Sequence, residues 1–447
     1  MKKLIVFLAV FALLAGVAFA QDISIGLGGW GRGTFSPLVN VGAPKAYGEE
    51  IKEGEPDYAE SENYAGTGVD WGGPEIETEF TVWGRSDLMG FHVCVAGQYM
   101  NTLNYSIWAK PFDNELLKLT VGKFEDLTLR GSVATASGFE DFVVGGLGED
   151  AVFSRFDTGG TNGSAPNGFL LSSAPVEGLF IGLMLNGALW NWGGPDSGTP
   201  LAQTYRYMQL GFGYKIPDIG HIRAQYFGGW AGTVDMTDKN TAKYYEEKKD
   251  NSGNFAGYKL SRIEAAFALT AIENVFIDLG AKIWLPLELK NTKKINNGID
   301  VGLGFNIRPP VVDNKIGLVG NLNVTGLGAS ERAVLGTDDS TKGINIAFNF
   351  VPDFNLGFAS IGLSFGLRMN NMGKKLGNGD PDDFAATSQI GFGAFIQKPM
   401  NGWATGYVKA GLAYQMAPTE INPADKNKKG ANGSSVFSIP ILIEYWF

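Results

Sequence analysis

The chain has 447 residues, of which 63 are glycine, 12% aromatic, 18% charged, one cysteine and two histidine, with a formal charge of −10. The acidic balance excludes a nucleic-acid partner, the single Cys94 excludes a disulfide framework, and His92 and His221 exclude a multi-histidine metal centre. Three classes stay open: a large soluble β protein, a repeat protein, or an outer-membrane barrel.

Residues 1–20, MKKLIVFLAVFALLAGVAFA, have two lysines, an apolar run from Leu4, and Ala18, Phe19 and Ala20 before Gln21. This is the plan of a secretory signal peptide, and cleavage is expected after Ala20. Losing Lys2 and Lys3 takes the formal charge from −10 to −12. No later stretch approaches the roughly 18 uncharged apolar residues that a spanning helix needs.

Beyond the leader, period-two alternation recurs and helix-period stripes do not. Alternating runs occupy residues 23–27, 76–82, 91–95, 103–107, 117–121, 168–174, 179–185, 208–214 and 222–226. They continue at 263–269, 275–283, 299–307, 316–324, 341–351, 361–367, 390–396, 408–414 and 437–447. The expected fold over residues 21–447 is therefore all-β, a transmembrane antiparallel barrel of about eighteen strands, with sixteen as the alternative count. A soluble β-sandwich or a surface β-solenoid is the competing architecture.

The connectors alternate in length. Short links are expected at 174–177, 217–219, 272–273, 309–313, 352–355 and 397–401. Long ones are expected at 34–74, 124–167, 191–202, 231–257, 289–298, 327–340, 370–386 and 416–434. Short turns on one side and longer loops on the other are the signature of an outer-membrane barrel.

The chain closes on GSSVFSIPILIEYWF, in which Phe437, Ile439, Ile441, Ile443, Tyr445 and Phe447 fall on one strand face. A wholly apolar face that reaches the last residue suits a wall strand that must pair with the first strand, since lipid satisfies no backbone group. This ending resembles that of the porin family, whose terminal aromatic is read by the barrel-assembly machinery, a role the resemblance gives to Tyr445 and Phe447. SIWAKPFDNELLKLTVGKFEDLTLRG resembles a porin hairpin, and the overall style is similar to spirochaetal outer-membrane proteins. The resemblance covers residues 22 to 447 and carries over no catalytic residue. It implies a water-filled channel for passive diffusion of small hydrophilic solutes and ions, in contact with outer-membrane lipid and assembled as a homotrimer.

No enzymatic activity, cofactor or metal is expected. GLGGWG at 26–31 matches G-x-G-x-x-G, but it lies in an alternating strand with no helix after it, so close packing is the better reading. The acids at Asp380, Asp382 and Asp383 read as solvated loop charge. No globular plug fits before the first strand, and 16 to 18 strands leave an aqueous channel.

In general porins the third long loop folds inward and narrows the pore, so the resemblance gives that role to 124–167. This loop holds Glu125, Asp126, Glu140, Asp141, Glu149, Asp150 and Asp157 against Arg130 and Arg155. Phe139 and Phe142 are expected to anchor it, and its acids should make the channel mildly cation-preferring. Strand parity directs Arg32, Glu77, Glu79, Lys110, Lys118, Arg223, Arg262, Glu264, Asp278, Lys282, Asp300, Arg308 and Arg368 to the lumen. Trp30, Trp83, Trp108 and Trp284 share that parity and support a rival reading, a sugar-specific channel. A surface adhesin or structural barrel acting through its long loops is the reading from a different class.

Overall fold

The structure, a computed structural model, describes residues 24–41, 69–96, 101–112, 114–126, 129, 156–157, 168–186, 208–228, 261–285, 287–288, 294–295, 298–313, 315–329, 344–372, 387–401, 405–416 and 435–447. Residues 1–20, the expected leader, lie outside them. Eighteen strands follow one another: β1 (Ser24–Val41), β2 (Val69–Arg85), β3 (Met89–Ala96), β4 (Asn101–Ala109), β5 (Lys118–Lys123), β6 (Gly168–Ser173), β7 (Leu179–Asn186), β8 (Met208–Ile216) and β9 (Gly220–Phe227). Then come β10 (Arg262–Ile272), β11 (Val275–Trp284), β12 (Ile299–Ile307), β13 (Ile316–Leu327), β14 (Ile344–Asn355), β15 (Ser360–Met372), β16 (Thr387–Asn401) and β17 (Thr405–Met416). The last, β18, runs in two segments, Ser435–Ser438 and Ile441–Trp446, which share one register around Pro440. Each strand pairs antiparallel with the next, and β18 pairs with both β17 and β1, which closes the ring.

Its two surfaces are inverted relative to a soluble protein. On β8, Leu210, Phe212 and Tyr214 face outward and exposed, while Gln209, Gly211 and Gly213 are buried. The same alternation exposes Leu27, Ile107, Leu279, Leu363 and Phe392 and buries Arg223, Glu264, Asp278 and Asp300. An apolar exterior around a charged interior is stable only where hydrocarbon replaces water outside.

Short turns join the strands at one end, where the two-strand links need a residue with positive φ. Asp218, Asn274 and Asp313 fill such positions at φ 58°, 58° and 54°, and Asp and Asn tolerate this region better than other side chains.

Two expected turns lie elsewhere. Residues 352–355 belong to β14, which turns at 356–359, and residues 397–401 belong to β16, whose last residue Asn401 pairs with Thr405 of β17. Both stretches contain a proline. The β14–β15 ladder skips Pro352, and Pro399 lies beyond Gln397, the last β16 residue paired with β15. Neither proline interrupts a continuous two-sided ladder, which is where proline is tolerated. The expected 34–74 loop is also shorter, since β1 runs to Val41 and β2 starts at Val69.

The seam explains both chain-end patterns. Phe447 and Gly29 exchange two backbone hydrogen bonds of 3.0 Å, extending the β1–β18 ladder to the final residue. Tyr445 and Phe447 stack at 6.5 Å on the outer surface and lie across Gly31 and Gly29. A Cβ at Gly29 would come 2.9 Å from the Phe447 ring, and one at Gly31 would come 2.7 Å from the Tyr445 ring. Gly29 and Gly31 of GLGGWG are thus a bed for the terminal aromatics.

This geometry makes a graded prediction for a closed barrel, which resists detergent until boiled. Gly29→Val and Gly31→Val are expected to lower the temperature at which the compact gel band converts to the unfolded one. Gly33→Val, with nothing within 4 Å of its Cβ position, is expected to leave it unchanged. Equal effects at all three sites would reject the seam as the sensitive point.

Candidate functional site: the barrel lumen

Two ion pairs of the inner wall reach across an intervening strand. Arg223 on β9 donates to Asp278 on β11. They are not register partners. Arg223 faces Ala266, and Asp278 faces Ala268, on the intervening β10. Two alanines thus leave room for a guanidinium to reach across a whole strand. Arg308 and Asp353 do the same at 2.6 Å, passing over Gly317, where an added Cβ would collide with both. Each pair leaves little unmatched charge, and this offsets the desolvation of burying it.

Nearer the long-loop end, Arg262 pairs with Glu264, which has no exposed surface. The Arg262 guanidinium lies 3.9 Å from the Phe227 ring centroid and 5.0 Å from that of Trp284. Trp284 Nε1 donates to Asp300 at 2.7 Å, and Asp300 also accepts from the Gly326 amide at 2.8 Å. Lys282 stands in register between Glu264 and Asp300.

Around the seam, Arg32 stands in register between Glu77 and Glu444, and Glu79 accepts from Trp30 Nε1 at 2.7 Å. Lys110 and Lys118 lie 5.5 and 5.1 Å from the Trp108 ring. Lys110 sits just beyond β4 and pairs with Glu115, at the short-turn mouth. Arg368 faces Ala347 and Gln389. The four tryptophans of the sugar-channel reading are engaged with polar or charged neighbours, Trp83 with Arg85 at 4.9 Å.

Several lumen groups escaped the sequence reading although strand parity pointed to them. Lys409 is buried 4.1 Å from the Phe395 ring, and Tyr407 donates to Glu444 at 2.7 Å. Gln209, Gln225, Asn323, Asn349 and Ser364 are buried as well. Neutral side chains carry no charge to mark them as lumen-facing in the sequence. No group of three potential metal ligands occurs among the described residues.

The segment after β5 turns into the lumen. Phe124 and Leu129 are buried in one cluster with Leu170, Met184 and Ala266, against which Phe180 packs. Leu129, 1% exposed, lies so close to β8 that a Cβ on Gly213 would meet it at 2.7 Å. Its carbonyl accepts from Arg223 Nη1 at 3.5 Å. Glu125 and Asp126 pair with Asp157 and Phe156 in a small separate ladder, so the outgoing and returning limbs run together.

The expected anchors Phe139 and Phe142 lie outside the described residues, as do Arg130, Glu140, Asp141, Glu149, Asp150 and Arg155. Of Glu125, Asp126 and Asp157 only the backbone is described. The described anchor is the Phe124–Leu129 stretch. A signal for it existed in the sequence: β6 and β7, GFLLSS and LFIGLMLN, are apolar on both faces, so their inner face needs an apolar cover.

No family model and no curated protein sequence matches the chain. Among solved structures it is similar to OpdL of Pseudomonas aeruginosa, with 9% identity over 95% of this chain and 99% of that one, at a TM-score of 0.47. It is also similar to OpdQ of the same organism (9%, 95% and 98%, 0.45) and to OmpT, an outer membrane protein of Vibrio cholerae (11%, 96% and 98%, 0.40). Likeness this distant identifies neither solute nor partner.

The docking of Leu129 is open to a direct test. Leu129→Asp places a carboxylate in the apolar cluster and is expected to unseat this stretch and raise trypsin cleavage after Arg130. Each ~1.4 kcal/mol of unseating raises cleavage about tenfold when opening is fast. Cleavage at the parental rate, in barrels that remain heat-modifiable, would show that Leu129 does not hold the segment.

Proposed function

We propose that the protein is an outer-membrane porin, a water-filled channel for passive diffusion of small hydrophilic solutes and ions. One observation carries the reading: a closed eighteen-strand ring whose exterior is apolar and whose interior holds the buried Arg223, Glu264, Asp278 and Asp300. Rings of 16 to 18 strands are wide enough for a water channel, and charges on the lipid face would cost about 2–4 kcal/mol each near the midplane. The secretory leader supports export to the same membrane. Passive passage requires no cofactor and no reacting residue.

A mild preference for cations belongs to this reading. The described wall matches much of its charge internally, so unbalanced charge has to come from the connecting segments, and 124–167 holds seven acids against two arginines. The second reading, a sugar-selective channel, draws on the inward tryptophans Trp30, Trp83, Trp108 and Trp284.

Planar-bilayer recording tests the channel, and its absence in correctly folded protein would reject porin function. For selectivity, Glu140→Lys with Asp141→Lys is expected to move the zero-current potential in a salt gradient toward anions. The same reversal at Glu49 and Glu50 is expected to do little, because exposed charge is screened within about 10 Å at 0.1 M salt. Equal negligible shifts at both places would remove 124–167 as the source of selectivity and leave the channel standing.

A further inference from the structure

At the short-turn end of β2 to β5 the inner wall carries donors that meet no acceptor. Arg85 ends β2 on the inward parity of Glu79 and Trp83 and faces Gly90 of β3, whose other partner is Trp108 of β4. Gly90 has no side chain to keep the two apart. The Trp108 ring lies over it, so close that an added Cβ would come within 2.6 Å of Nε1. This carries the indole N–H across β3 toward the strand of Arg85. Lys118 on β5 and Lys110 stand 5.1 and 5.5 Å from the same ring.

What these groups lack is a carboxylate. Elsewhere on the wall Arg223, Arg262 and Arg308 are each held by one. Among the described residues the Arg85 guanidinium meets only the Trp83 ring, at 4.9 Å, and the Lys118 ammonium only the Trp108 ring. Trp108 Nε1 has no acceptor among them either. The adjoining turns do not supply one. Glu115 is taken by Lys110, the exposed Asp87 makes no ion pair with Arg85, and Asp113 lies outside the described residues. Access is open as well: Arg85 is exposed, and neither Lys118 Nζ nor Trp108 Nε1 is one of the buried orphan atoms of the wall.

Guanidinium, ammonium and indole N–H share one property, in that each donates and none accepts. A sugar hydroxyl would find no acceptor here for its own hydrogen, whereas an oxyanion only accepts. The shape of the set narrows the class further. A planar carboxylate is satisfied by one guanidinium, through two parallel hydrogen bonds, but donors converging from β2, β4 and β5 suit an ion that presents oxygens on several sides. Tetrahedral phosphate is such an ion.

We propose that Arg85, Trp108 and Lys118 form a docking site for phosphate-type oxyanions at the short-turn mouth of the lumen, with Lys110 beside it. The proposal rests on the channel reading for solute access and adds a class of solute to it. Inward parity directs the site to dissolved solutes rather than to lipid headgroups. Solvent exposure keeps the binding weak, as passage requires, since a solute must leave as readily as it enters.

The test titrates the full-length protein, folded in detergent micelles at low ionic strength, with sodium pyrophosphate in a calorimeter. Affinity is expected to fall about tenfold in Arg85→Gln and in Lys118→Gln, each of which removes a charge-assisted hydrogen bond. Trp108→Phe keeps an aromatic ring and removes the N–H, and about a threefold loss is expected. Lys215→Gln removes a cation on the inward parity of β8 at the same mouth and is expected to change nothing. A parent that does not bind pyrophosphate, a loss in Lys215→Gln equal to that in Lys118→Gln, or displacement by acetate as effective as by phosphate would each overturn the site. Planar-bilayer recording on the same samples separates this from the channel itself. Conductance without binding overturns the site and leaves the channel, and binding without conductance does the reverse. Should Trp108→Phe fail to give a heat-modifiable barrel, the Arg85 and Lys118 variants decide.

Discussion

Every backbone N–H and C=O of the wall must find a partner on a neighbouring strand, because hydrocarbon supplies none. That requirement forbids an edge, so the first and last strands must meet, and they meet at Gly29 and Phe447. Closure has a second consequence. With the sheet bent into a ring, the strand pleat assigns alternate residues to lipid and lumen, and a register slip of one residue would put Arg223 or Asp278 into the bilayer. The charge pattern thus enforces the register, and the register enforces closure.

The same constraint concentrates polar groups inside, where they must be reconciled with one another. The wall does this by placing a small residue between partners. Ala266 and Ala268 let Arg223 reach Asp278, and Gly317 lets Arg308 reach Asp353. The intervening strand would block either pair if it carried a large inward side chain. Small inward residues on this wall serve as gaps through which longer neighbours interact, and their placement matters as much as that of the charges.

All eighteen strands were legible because alternation with repeated turn signals is a strong pattern at this length. The errors fell where one residue type has two meanings. Proline at 352 and 399 marks a turn in most contexts, but it is also tolerated where a strand lacks a neighbour on one side, and only the ladder offsets distinguish the two. Inward charge was legible from parity, whereas pairing was not. Arg223 and Asp278 lie on strands that are not adjacent, and nothing in the linear pattern measures that reach. The docking of Leu129 was legible in principle, since Leu170 and Met184 are apolar residues on a face that otherwise turns polar.

Closure also fixes what each sector of the lumen can become. Beyond β5, Glu125 and Asp126 pair with Asp157 and Phe156, and Leu129 lies against the neighbouring strands. Those strands carry the apolar inner patch. Ionic pairs occupy the next sector, where Arg223 serves both the wall, through Asp278, and the segment, through the Leu129 carbonyl. The sector from β13 to β14 carries neutral amides instead, with Asn349 in register with Asn321 and with Asn323 beside them. Three chemistries thus share one ring, each set by the residues that the pleat of its own strands turns inward.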